Sequence, residues 1–97
     1  MLETLTVDTF KRHLDETFHL VAESSPPAAL RLIEATPVAN AAGQQRVPFS
    51  IIFRGPHDVV FPQRIYRLEH AAMGAFELFL VPIGPDAEGM RYEAVFT

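Results

Sequence analysis

The chain contains no cysteine, which removes disulfide frameworks, thiolate nucleophiles and thiolate metal ligands at once. That composition fits a reducing compartment. Cations are also scarce: one lysine and seven arginines face twelve acids, for a net charge of -4. Phosphate backbones are held by clustered cations, so nucleic acid is not an expected partner. No run approaches the roughly 18 consecutive apolar residues of a membrane-spanning helix. The opening MLETLTVDTFKRH has acids where a secretory leader is basic, and it lacks a continuous apolar core. The expectation is a cytoplasmic protein with no membrane partner. Two further motifs are missing: a GxSxG nucleophile elbow, and a glycine-rich loop ahead of a helix that could cradle phosphate.

What is present is an ordinary globular composition, 48% hydrophobic and 21% charged over 97 residues. A chain of that length has one core's worth of apolar surface, so residues 1–97 are expected to form a single domain. Such a domain buries roughly 60 to 68% of its unfolded surface, so a partner covering an apolar strand face would add usefully to its stability.

The segment TVDTFKRHLDETF spaces Leu5, Phe10, Leu14 and Phe18 along one helical side, with Thr6 as cap and Asp8 in the first turn. A short helix from Val7 to about Leu14 is expected, with Lys11, Arg12 and His13 as a solvated rim. Alternation follows. In TFHLVAE, Phe18 and Leu20 share a face until SSPP stops the strand, while AALRLIEATPVA has faces that are harder to separate. NAAGQQR reads as a turn, and VPFSIIFRG as a strand with Val47, Phe49, Ile51 and Phe53 at period two. Its early proline suggests an edge or a strand start. GPHDVVFPQ is too broken for a strand, and RIYRLEH alternates with Tyr66, Leu68 and His70 inward.

The C-terminal stretch GAFELFLVPIGPDAEGMRYEAVF reads as a hairpin with PIGPDAEG as its loop. Phe76, Leu78 and Leu80 take one side and Glu77, Phe79 and Val81 the other, so both faces are largely apolar and the outer one calls for cover by the helix, a second layer or another chain. Arg91 and Glu93 return on one side, where Glu77 is expected to meet one of them. The fold class expected is mainly β (α+β): one short N-terminal helix and a five- or six-stranded antiparallel meander closed into a small barrel or roll.

Candidate chemistry is thin. His57 beside Asp58 invites a general-base reading, but neighbours on extended chain seldom face each other, and Asp in a Pro-rich loop is ordinary turn chemistry. Arg67 and Glu69 are two apart on a strand and form an ion pair by default. His70 ends that strand, where an imidazole bonded to backbone is the simpler role than a base. His57, Glu69 and His70 lack the HxxxH or HxH spacing of a specific metal site, so no metal, cofactor or catalytic residue is assigned. Asp86 and Glu88 in GPDAEG lack the ligand ladder of a calcium loop and read as turn formers.

Phe53-Arg54-Gly55-Pro56, Pro62-Gln63, Tyr66, Leu68-Glu69-His70, Gly74 and the FLVPIGP segment from Phe79 to Pro85, with Leu-Thr and ETFHL near the N-terminus, carry a likeness. The chain resembles a small family of uncharacterised bacterial proteins of about its own length, over most of its residues and most weakly between Ser24 and Gln45. Members of that family tend to be encoded near tail-collar-like, phage-derived proteins. The resemblance thus implies an accessory or assembly role in a phage-tail-like particle or its adhesin, with the protein cytoplasmic or assembled into that particle, and it supplies no catalytic residues.

The function expected is a non-enzymatic β-rich interaction or assembly module that self-associates or docks on a protein partner. Its candidate contact residues are Phe79, Val81, Arg67, Glu69, His70 and His57. The alternative is a small enzyme or ligand-binding barrel with His70, His57, Asp58, Glu69 and Arg67 around its mouth. An immunity-type partner of a toxin also suits a small acidic protein, with no residue singling it out.

Overall fold

In a computed structural model the structure describes residues 5–22, 25–38 and 48–97. A short helix, α1 (Val7–Lys11), precedes six strands: β1 (Thr17–Ala22), β2 (Ser25–Pro37), β3 (Phe49–Gly55), β4 (Arg64–His70), β5 (Gly74–Asp86) and β6 (Gly89–Phe96). They close into a barrel in the order β1-β2-β3-β6-β5-β4 with every neighbouring pair antiparallel. The barrel is two up-and-down runs of three strands, β1 to β3 and β4 to β6, sewn together where β3 meets β6 and β1 meets β4. No helix among the described residues is long and apolar enough to cross a membrane.

Thr6 caps α1 through a reciprocal pair of bonds: its hydroxyl accepts from the Thr9 N–H at 3.4 Å, and the Thr9 hydroxyl accepts from the Thr6 N–H at 3.1 Å. The helix stops at Lys11 rather than running to Leu14, and Leu14 is exposed. The chain instead turns through Asp15, at φ 68, a left-handed conformation that Asp tolerates better than most residues. This turn is tied to β2, where the Asp15 N–H donates to the Leu32 carbonyl at 2.7 Å and the Leu32 N–H to the Glu16 carbonyl at 3.1 Å.

Strand alternation places Phe18, Leu20, Leu30, Leu32, Phe49, Ile51, Phe53, Leu68, Leu80 and Tyr92 inside, all almost completely buried. Phe10 of α1 plugs one end. Its ring lies 5.9, 6.2 and 5.4 Å from those of Phe49, Phe76 and Phe96, and Phe49 stacks flat on Phe96 at 4.4 Å. The opposite end is covered by the loop over residues 56–63. There the Phe61 N–H donates to the buried Tyr92 hydroxyl at 2.9 Å, and the Tyr66 hydroxyl donates to the Pro62 carbonyl at 2.6 Å. Burial raises the pKa of both phenols, keeping them protonated.

Several expectations need correction. β2 takes in Ser25 and Pro26 of the SSPP segment, and a register shift between Leu32 and Glu34 is what blurred its two faces. β3 is no edge: it pairs with β2 and β6, and Pro48 lies just before it, its carbonyl accepting the Val38 N–H at 2.9 Å. NAAGQQR and Val47 lie outside the described residues. Most of PIGPDAEG is strand, not loop, because a bulge between Pro82 and Gly84, with Gly84 at φ 103, carries β5 on to Asp86.

Candidate functional site

Three constellations emerge. The first closes around Glu16, which the Leu32 backbone holds next to the end of β4. One Glu16 carboxylate oxygen, Oε1, accepts from His13 Nδ1 at 2.8 Å and from His70 Nε2 at 2.7 Å. The two imidazoles lie edge to face at 4.6 Å, and the Phe18 ring covers His70 at 4.4 Å. Donation from His13, then from His70, holds the Glu16 carboxyl below its ordinary range. The three potential ligand atoms fall within 4.8 Å of one another, close enough to suggest a metal. The far side of His70 argues otherwise: its Nδ1 accepts from the Ala72 and Met73 N–H groups at 3.0 and 3.1 Å. That fixes the ring proton on Nε2, so no lone pair faces the cluster, whereas a metal-bound imidazole donates from its second nitrogen. His70 is a turn cap and Glu16 the clasp joining the helix segment to β4.

The second constellation joins β3 to the β5–β6 turn. Arg54 Nε lies 3.1 and 3.0 Å from the two Asp86 carboxylate oxygens and its Nη2 2.5 Å from Oδ2; Glu88 lies 3.9 Å away. Asp86 also accepts the Glu88 and Gly89 N–H groups at 2.9 and 3.1 Å. Arg54, foremost, drives the Asp86 carboxyl far below its usual range, and Asp86 in turn raises Arg54. Asp86 forms the turn as expected, and its clamp on Arg54 was not visible in the sequence. A shallow polar cleft of about 370 Å³ beside it is lined by Thr17, Arg31, Arg54 and Glu88 among others.

The third is the outer face of β4, β5 and β6. Ile65 and Phe79 are register partners, and Ile65, Phe79 and Val95 are 62, 50 and 58% exposed. Val81, the next outward residue on β5, is half-buried. Among the described residues neither helix nor second layer covers this face. Glu77 stands opposite Arg67, not Arg91 or Glu93, because Glu93 pairs with Val81 and Arg91 with Gly84. Arg67 bonds Glu69 at 3.2 Å on the exposed side of β4, while His70 turns inward and is buried.

The alternative set does not converge. His57 and Asp58 sit exposed in the turn after β3, in the loop that also holds Phe61 over the Tyr92 end. His70 lies at the Phe18 end of β4, across a strand of seven residues that spans roughly 20 Å. Glu69 and His70 border a surface dip of about 340 Å³ with Thr17 and His19, without His57, Asp58 or Arg67.

A family model described as a domain of unknown function, DUF6916, matches residues 5–96, from ahead of α1 to the last residue of β6. The chain belongs to the DUF6916 family. No curated protein and no solved structure matches it. For this DUF6916 domain, function therefore has to be read from its own surface. The three constellations differ in that respect: two are saturated with internal partners, and the third is apolar and open.

Proposed function

We propose that the domain is a non-enzymatic interaction module that docks on another protein through the outer face of β4, β5 and β6. The observation that carries this reading is the set Ile65, Phe79 and Val95, three large apolar side chains at least half exposed, the first two paired across β4 and β5 and the third bordering the same groove from β6. Isolated exposed apolar residues are commonplace, but a contiguous group on one sheet face is the usual mark of a contact surface. Covering the exposed half of each would contribute roughly 1 kcal/mol apiece, half of full side-chain burial. Val81 borders the set and Arg67 and Glu69 form its charged rim. Against an enzyme or ligand-binding barrel stands the separation of His57 and Asp58, in the loop after β3, from Arg67, Glu69 and the inward-turned His70 on β4.

The setting we infer, an accessory or assembly part of a phage-tail-like or tail-collar and adhesin system, rests on the resemblance set out above. Co-purification with tail structural proteins from the native host tests it. The contact surface is tested by light scattering and hydrophobic-dye binding on the wild type and on a Phe79→Ser, Val95→Ser variant. The wild type is expected to bind dye or associate and the variant to do neither. A strictly monomeric wild type whose surface takes up no dye overturns the reading.

A further inference from the structure

We propose that this surface engages its partner by strand addition: an extended segment with apolar residues alternating with basic ones lies along the gap between β5 and β6 and pairs with their open edges. The inference rests on the docking reading above and specifies the kind of partner.

The gap is a property of the ladder. β5 and β6 are paired from Asp86 with Gly89 up to Val81 with Glu93, and no pair follows. Beyond that point residues 74–80 of β5 are laddered to β4 alone, and residues 94–96 of β6 to β3 alone. Every second residue in each stretch therefore turns its N–H and C=O toward the gap, where no strand among the described residues receives them. Phe10, wholly buried, sits against both Phe76 of β5 and Phe96 of β6 at this end. A groove of about 360 Å³ follows the gap, with Ile65, Glu77, Phe79 and Val95 around it and the inward positions Leu78 and Ala94 at its floor.

Three features select the occupant. Open strand edges are satisfied by another strand; a helix laid in the groove would leave them unmet. Glu77 on the groove's wall and Glu93 at its closed end form no ion pair among the described residues: Arg67, opposite Glu77, is taken by Glu69, and Arg91, two residues from Glu93, donates to the Gly84 carbonyl. The complement is a strand that turns its basic residues outward beside these acids and its apolar ones inward over Leu78 and Ala94, drawn also by the net charge of -4. A second copy of this chain is disfavoured, because its matching face would bring Glu77 and Glu93 against the same acids.

The test uses a labelled peptide, acetyl-KVKVKVK-amide, its twin N-methylated at alternate residues, and the acidic counterpart EVEVEVE, with binding read by anisotropy and by amide exchange. The basic peptide is expected to bind and to protect amides in 77–80 and 94–96. The methylated twin, which keeps every side chain but loses half its donors, should bind at least roughly tenfold more weakly, and the acidic one more weakly still. Phe79→Lys, or Val95→Lys should the first not fold, should abolish binding. Equal binding of the methylated twin, or protection elsewhere, overturns strand addition and leaves the docking face standing. Failure of the basic peptide to bind overturns strand addition as well. Binding that survives both lysine variants removes the docking face itself.

Discussion

Replacing Phe10 with alanine should cost this small barrel a large part of its stability. Phe10 is completely buried, is the buried residue of α1, and meets three phenylalanine rings within 5.4 to 6.2 Å. Truncating a core phenylalanine to alanine costs about 3 to 5 kcal/mol through lost transfer energy and the cavity left behind. A domain of 97 residues has a total of roughly 5 to 15 kcal/mol to lose. A helix of five residues has no independent stability, so without its anchor α1 should detach rather than sag into the space. At about 4 to 8 °C per kcal/mol for a domain of this size, Tm should fall by at least roughly 12 °C. Urea titration followed by circular dichroism measures the loss directly. Leu14→Ala supplies the control, since Leu14 follows α1 closely in the chain but is exposed, and surface truncations of that kind stay within about 0.5 kcal/mol. A Phe10→Ala penalty under about 1 kcal/mol, or one equal to that of Leu14→Ala, would refute the view of Phe10 as the plug.

Acid should weaken the fold through two carboxylates. Glu16 and Asp86 are both held below their ordinary values of 4.5 and 3.8, so each adds stability that is fully present above its unfolded pKa and is lost as pH falls through the folded one. The urea midpoint should therefore hold steady above about pH 6 and drop as pH falls below about 4, and Asp86→Asn should lower it at neutral pH while flattening the acid drop; a midpoint indifferent to pH would contradict both clamps. Gly89→Ala should destabilise by about 1 to 3 kcal/mol or more, because the new methyl would sit 2.1 Å from the Gly55 carbonyl oxygen and one of the two strands must move. Thermal scans of that variant check it, and an unchanged Tm would show that β3 and β6 are not so closely apposed. Millimolar zinc should leave Tm unchanged, since His70 offers its proton to Glu16; a zinc-dependent rise lost in His70→Gln would show that the ring reverses its tautomer.

The strands that were legible are those with one face in the core. Tyr66, Leu68 and His70, then Phe76, Leu78 and Leu80, repeat at period two because every second side chain is sealed inside. Two regions that resisted reading share one physical cause, an extra residue that breaks the period: the shift between Leu32 and Glu34 in β2, and the bulge between Pro82 and Gly84 that made strand look like loop. The apolar outer face was legible in the FELFLV alternation, and Phe79 and Val81 lie on it as the pattern requires. Its extension to Ile65 and Val95 depends on which strands lie side by side, which no local pattern encodes. The clasp at Glu16 and the clamp at Arg54 were illegible for the same reason, since their partners are 54 and 32 residues away along the chain. The spacing of His13 and Glu16, three apart, was the one local hint.

The closure of the barrel is uneven. Among the described residues β3 meets β6 through seven residue pairs, from Phe49 with Phe96 to Gly55 with Met90, whereas β1 meets β4 through three, His19 with Glu69 to Val21 with Arg67. Each three-stranded half is built from pairs of consecutive strands, whereas the two joints demand contacts farther apart in the chain and are expected to form later. On the described pairing the β1–β4 joint is expected to part first, and hydrogen exchange should then reach the amides of β1 and β4 before those beside the aromatic stack at Phe49 and Phe96.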